Sequence, residues 1–501
     1  MKRLDGTNTV STKFVAPEGM THNERTRRRI VNLVFMVYWL LIFEGVLRKW
    51  VWPQYSQYLF FIRDPFVLSI YIIALINGKW PRAKPALIFA YVISLWAIIW
   101  IAIQLLTGST DGTRMLLAAY GWRNYFLYIP LAFLIAEQFR EDDLYRLFRQ
   151  TLIIAIPISI LVIAQFAAPT DSILNSGIAT EESLQFKGMR GALGHNRPNA
   201  TFTSTVGQNH FVVTSISMLF IMWILPSRQR PIPTLLLAIS TVAAAVCLAF
   251  SISRGMFIHA GIVTLSTLIA GAALRGRMSL RALFLPLGLT LVATVLFPIV
   301  FPDAFSAFVA RWSEGATHEG KYFGSLGVFG RALYEFIDFF RLFDTTPFFG
   351  YGMGLAGNAS TVLDQTVNGM LPISLAESDW SRHFVDMGPL LAMLFIVFRI
   401  TFVLQLGIQA LASTRQSRHP MPVLLFGYVG IVLLYGQITG HGSISGYVWL
   451  FTGFLMAAIQ TKQPYKEMAP VKTGPPDKHR DKGLTRSASA RILHKRADKM
   501  R

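Results

Sequence analysis

Long apolar runs, separated by short stretches of basic and turn-forming residues, organise this chain. A helix needs about 20 mainly apolar residues to cross a bilayer. Twelve windows approach that length: 30–47, 59–76, 86–106, 115–136, 151–168, 209–226, 232–250, 255–273, 283–301, 385–404, 420–438 and 446–460. The pattern predicts an all-α, polytopic integral membrane protein with about twelve transmembrane helices. The first run does not read as a cleaved signal peptide. It lacks a small-residue cleavage site, and Glu44-Gly45-Val46-Leu47-Arg48-Lys49 follows directly. One stretch has a different period. Leu333, Phe336, Ile337 and Phe340 recur at i, i+3, i+4 and i+7, with Glu335 and Asp338 between them and Arg341 directly after. That is an amphipathic helix, expected on the outer membrane surface or over the bundle.

Composition narrows the class. Hydrophobic residues make up 53% of the 501 residues and charged residues only 15%, against about 25% charged in soluble domains. The solvent of most of the surface is therefore lipid. The single cysteine, Cys247, excludes an intrachain disulfide. The net charge of +20 would suggest nucleic acid in a soluble protein. Here the basic residues mark loops, so topology explains them and no nucleic-acid partner is expected. Lys and Arg mark one side of the membrane as cytoplasmic, with seven in 1–29 and twelve in 461–501. Segment 302–384, on the other side, carries five basic and nine acidic residues, a net −4. Both termini are expected in the cytoplasm. The chain divides into a basic N-terminus (1–29), a membrane domain (30–460) and a disordered basic tail (461–501). No internal repeat of the kind that builds duplicated transporters is visible.

Polar residues gather in two long outer segments, 169–208 and 302–384, the second of them before helix ten. Arg254 lies in Ser251-Ile252-Ser253-Arg254-Gly255, between two apolar runs. A charge near hydrocarbon costs at least about 2.5–3.5 kcal/mol unless solvated or paired. Arg123, inside the fourth window, poses the same problem, with Glu44 as a candidate partner. Arg197 stands just before the sixth window. Arginine's planar fork suits phosphate oxygens. The segment Pro347-Phe348-Phe349-Gly350-Tyr351-Gly352-Met353-Gly354 is a turn where backbone can approach a ligand. It lacks the Lys-Ser/Thr of a P-loop. Before helix ten, Glu377, Asp379, Trp380, Arg382, His383 and Asp386 crowd together. A carboxylate or imidazole there can take a proton from a sugar hydroxyl, and Trp380 can stack on a sugar or join the interfacial belt. No histidine pair has zinc spacing.

At these residues the chain resembles the O-antigen ligase/polymerase superfamily of bacterial membrane proteins, closest to its exopolysaccharide (Wzy-type) polymerases. Arg197-Pro198-Asn199-Ala200-Thr201-Phe202 is similar to the family's Arg-Pro-x-Gly-Thr-Phe segment, with Ala200 in place of glycine. Ser253-Arg254-Gly255 resembles its Ser-Arg-Gly/Ala turn, and Gly350–Gly354 its Gly-x-Gly-x-Gly loop. Glu377 through Gly388 resembles its His-Asn-x-x-Leu…Glu-x-Gly motif. Glu377 holds the histidine position there, Asp386 replaces the glutamate, and His383 lies six residues late. Either Glu377 or His383 is then the base, or neither is.

The resemblance implies a glycosyltransferase of the bacterial inner membrane that polymerises undecaprenyl-pyrophosphate-linked oligosaccharide repeats into exopolysaccharide or O-antigen at the periplasmic face. Transfer would be inverting and metal-independent, with no cofactor. Arg197 and Arg254 would bind pyrophosphate, and Glu377 or His383 would be catalytic. Arg382, Trp380, Tyr351 and Arg123 are further substrate-binding candidates. Membrane lipid, a flippase and a chain-length regulator are the expected partners. The alternatives are an O-antigen ligase acting on lipid A-core and a polysaccharide-precursor transporter or flippase. A metal-dependent oligosaccharyltransferase is disfavoured, because such enzymes carry acidic pairs in the first outer loop and Arg48–Tyr58 has no acid.

Overall fold

A computed structural model of the chain describes residues 21–107, 112–176, 191–227, 230–274, 280–357, 360 and 378–461. It is all-helical, as the apolar runs require: in lipid only a helix or a closed barrel satisfies its own backbone groups. Each of the twelve windows falls on helix. In chain order these are α1 His22–Val46, α2 Asp64–Ile76, α3 Pro85–Thr107, α4 Gly112–Trp122 with α5 Ile129–Gln138, α6 Glu141–Ala167, α7 Thr205–Ile224, α8 Thr234–Ala249, α9 Arg254–Ala273 and α10 Leu280–Val300. Two helices outside the windows follow, α11 Pro302–Phe323 and α12 Gly327–Ile337. The last three windows fall on α13 Asp379–Ser417, α14 Met421–Tyr435 and α15 Gly442–Gln460.

Among the described residues, six helices are long and apolar enough to cross a membrane: those over His22–Val51, Pro85–Leu106, Glu141–Ala167, Arg254–Ala273, Asp379–Ser417 and Gly442–Gln460. The pair Phe284–Val300 and Pro302–Leu326 passes that test together but bends by 103° at its break. Helices α2, α8 and α14 are apolar but shorter. At 1.5 Å per residue the 13-residue α2 reaches only about 20 Å, short of a hydrocarbon core of about 30 Å. The window count therefore exceeds the number of helices that meet the length requirement.

The bundle has two polar ends. At one, Arg27 meets Asp143 at 2.5 Å and Tyr145 meets His419 at 3.0 Å. At the other, Lys49 donates to Asn199 and Arg63 to the Gly442 carbonyl. Between them α15 is almost wholly enclosed, with Trp449, Leu450, Phe451 and Phe454 fully buried. The candidate residues that are described all lie toward the Lys49 end. The amphipathic stretch is helical as far as Ile337, then tightens into a 3-10 turn over Asp338–Leu342. The tightening rotates the pattern. Phe336, Phe339 and Leu342 face the protein, while Leu333, Ile337 and Phe340 stay exposed.

Candidate functional site

Arg254 opens α9 from a constrained turn. Ile252 adopts φ +48°, an outlier for a β-branched residue. The Ser253 hydroxyl caps the helix by accepting from the Met256 amide and is itself held by Asn209 at 3.0 Å. This fixes where the arginine leaves the backbone. Its guanidinium forks onto Glu319 of α11, with Nη1 and Nη2 at 3.0 and 2.9 Å from the two carboxylate oxygens. Gly315 makes the room, since a Cβ there would lie 2.3 Å from Cζ of Arg254. Arg331 lies 3.7 Å from the same carboxylate.

The segment around Arg197 is clamped just as firmly. The Gln165 carboxamide oxygen accepts from the Asn199 and Ala200 amides at 3.1 and 2.7 Å. Lys49 donates to the Asn199 side chain and the Ala200 carbonyl at 2.9 and 2.8 Å. Gly45 of α1 lies flush against the Thr201–Thr203 backbone. A Cβ at Gly191 would meet both the Arg197 stem and the Ile252 side chain, so the two arginine segments share a wall. Burial, followed by the charges of Arg311 and Arg254, pushes the Arg197 guanidinium down to about 10. It remains cationic at neutral pH. The structure thus brings Arg197 and Arg254 together and adds Arg311, which the sequence reading did not single out.

Ala200 itself adopts φ +48°, the left-handed region that glycine favours. This is where the resembled motif carries glycine. Ala200→Gly is expected to fold and stay within about 1 kcal/mol of the parent. Ala200→Val, by contrast, should lose roughly 2 kcal/mol or more in this fully enclosed site. Thermal denaturation of the two purified variants checks the pair.

The start of α13 is a second, separate group. Ser378 caps it. Arg399, 20 residues along the same helix, turns inward and donates to Asp379 at 2.5 Å and to His383 Nε2 at 2.9 Å. Arginine can only donate, so Nε2 accepts and the ring proton sits on Nδ1. That N–H donates to the Tyr125 hydroxyl at 2.9 Å, which donates in turn to Asp386 at 3.0 Å. The direction of the series is set by the arginine. His383 is fully buried, and its one basic nitrogen is spent on Arg399. Asp379 also accepts from Thr439 and the Ile438 amide. Glu377 lies outside the described residues.

The glycine loop packs on this group. Gly350, Gly352 and Gly354 all have positive φ. α13 breaks at Gly388, φ +72°. A Cβ at Gly388 would lie 2.1 Å from the Phe348 carbonyl, and one at Gly354 would lie 2.4 Å from that of Leu117. Gly350, Gly354 and Gly388 thus serve close approach of backbone to backbone, while a Cβ at Gly352 would meet the Leu355 side chain. Gln104 of α3 clips both motifs, donating to the Phe349 and Asp386 carbonyls and accepting from the Met353 amide. Tyr351 is partly exposed, its amide bonded to the Val385 carbonyl and its hydroxyl to that of Thr345. Trp380 faces inward, donating to the Leu434 carbonyl and packing on Phe336 at 5.2 Å.

Arg123 is buried and structural in its contacts. It forks onto Asp64 at 2.7 and 2.8 Å. The expected partner, Glu44, instead meets Arg48 at 2.9 Å and Arg63 at 3.1 Å. The chain entering α15 is shaped around guanidinium groups: a Cβ at Gly440 would strike Arg382, and one at Gly446 would lie 2.3 Å from Arg63. Arg382 is half-buried beside Gly440, and its charge bears on both Asp379 and Asp386.

An aromatic bridge separates the two groups. His259, one turn and a residue into α9 from Arg254, bonds the Tyr435 hydroxyl. The Tyr435 ring packs on Phe336, which packs on Trp380. Arg399, Asp64, Tyr125, Gln104 and Glu319 all matter here and were missed from sequence. For Arg399 a signal existed, a lone charge inside an apolar run, which by default asks for a buried partner. No protein-family model matches the chain, and no curated protein matches its sequence.

Proposed function

We propose that this chain is a membrane glycosyltransferase that extends lipid-linked oligosaccharide repeats, as the motif resemblance implies. The observation that carries the reading is that the Arg197 and Arg254 segments share a wall at Gly191, with the charges of Arg254 and Arg311 reaching Arg197. Pyrophosphate is a good leaving group, and fixed cations that neutralise its developing charge supply the main electrostatic term. An undecaprenyl-pyrophosphate-linked donor would place its diphosphate there, at the periplasmic face of a bacterial inner membrane, under a twelve-span topology with cytoplasmic termini. The acceptor hydroxyl would lose its proton to Glu377, because the basic nitrogen of His383 is occupied by Arg399. Single displacement inverts the anomeric carbon. Transfer to a second lipid-linked repeat makes a polymerase, and transfer to lipid A-core makes a ligase.

One observation favours a transporter instead. Asp379, Arg399, His383 and Asp386 of a helix long enough to span form a buried polar series with Tyr125 of the neighbouring segment 123–127, and such series serve as proton relays in transporters. Reconstitution separates the two. Growth of glycan on lipid-linked repeats in liposomes without an ion gradient supports the enzyme. Substrate crossing without new glycosidic bonds removes it.

Gly440→Ala gives a finer check. Its methyl would displace only the flexible end of Arg382, so expression and thermal stability should stay near wild type. If Arg382 contacts the glycan, extension should fall severalfold. Unchanged extension takes Arg382 out of the site.

A further inference from the structure

The fork of Arg254 is already filled. Glu319 is 2% exposed, accepts both guanidinium N–H groups, and has Arg331 beside it. Arg197 and Arg311 add their charges to the same neighbourhood. A carboxylate held bidentately by arginine among further cations presents the same acceptor geometry as one edge of a phosphate.

The helix that carries this carboxylate is exposed over most of its second half. The first half of α11 is anchored by apolar contacts, with Ala304 and Ala307 buried and Phe308 packed at a tilt against Phe257 at 4.5 Å between ring centres. From Phe308 to Phe323 the only buried residue is Glu319. The Glu319–Arg254 pair therefore pins the far half of α11 to α9. A diphosphate brings more charge and more acceptor oxygens than a carboxylate, so it competes for the same fork.

We propose that Glu319 is the resident anion of this site, and that a diphosphate exchanges with it on Arg254 and releases the end of α11. The proposal rests on the reading that these arginines bind diphosphate. It adds that binding opens a helix over the site.

The test uses the full chain in lipid nanodiscs, with a nitroxide on Thr317→Cys. Thr317 is exposed and the native Cys247 is buried, so the label reports α11 alone. The ligands are inorganic pyrophosphate and farnesyl diphosphate. Either should raise label mobility, and Glu319→Gln should raise it without ligand. Glu319→Gln should also bind pyrophosphate roughly tenfold more tightly, since a charge-assisted pair no longer has to be broken. Farnesyl diphosphate binding more tightly than pyrophosphate assigns the site to a lipid-linked ligand; equal affinity assigns it to the free anion. Two outcomes overturn the exchange while leaving the diphosphate reading intact. In one, binding is lost in Arg254→Ala but wild-type label mobility does not respond to ligand. In the other, Glu319→Gln binds no tighter than wild type. Absence of any Arg254-dependent binding removes both proposals together. The wild-type label response stands even if Glu319→Gln folds poorly.

Discussion

Arg254→Lys is expected to lower glycan extension by about a hundredfold while the protein still reaches the membrane. The substitution keeps the charge and removes the planar fork. Loss of one preorganised donor at a developing charge typically costs 10²–10³ in rate. The stability cost should be modest. Arg254 is partly exposed, and an ammonium still pairs with Glu319 as a point charge. Extension of purified lipid-linked repeats in liposomes reads the first quantity, and heating followed by size-exclusion chromatography reads the second. Arg331→Lys is the control. Arg331 is half exposed and 3.7 Å from Glu319, so its replacement should leave extension nearly unchanged. If Arg254→Lys extends glycan at the wild-type rate, Arg254 has no part in the chemistry.

Arg399→Met should destabilise the fold by roughly 3–5 kcal/mol, the usual cost of leaving one member of a buried pair behind. Asp379 would keep its bonds to Thr439 and to the Ile438 amide but lose its counter-charge. His383 Nε2 would lose its donor, and nothing would then fix the direction of the series through Tyr125 to Asp386. The Arg399→Met/Asp379→Asn double variant should recover part of the loss, because contacting residues do not contribute additively. Denaturant titration in detergent measures the cycle. Strict additivity of the two single losses would show that Arg399 does not act through Asp379.

The arginine site was partly legible from sequence. Arg197 and Arg254 each sit where a cation beside hydrocarbon demands an explanation, and they do share one end of the bundle. Their counter-ion could not be read. Glu319 is 65 residues beyond Arg254 on an exposed helix, and no pattern marks it among the acids of its segment. The reading of Glu44 beside Arg123 went astray for the same reason, as Asp64 is 59 residues away and reaches Arg123 only by helix packing. Three alternating glycines looked like a ligand turn. Gly350 and Gly354 are needed because the loop lies against the Gly388 break and the Leu117–Gly121 backbone, contacts that no local rule contains.

By itself the sequence determined the solvent, the secondary structure and the polar ends. An apolar run about 20 residues long in lipid has one economical backbone solution, and every window became helix. Hydropathy does not measure length against a bilayer, so the number of crossings did not follow from it. Tertiary structure alone decided the pairing of charges. The partners of Arg123 and Arg254 lie 59 and 65 residues away, and the Tyr125 hydroxyl that His383 bonds lies 258 away. Burial without a partner is prohibitive for Arg123 and His383 and costly for the partly buried Arg254, so the fold selects the neighbour that satisfies it. That selection placed Arg254 in a fork already holding a carboxylate, and left His383 with its basic nitrogen committed to Arg399.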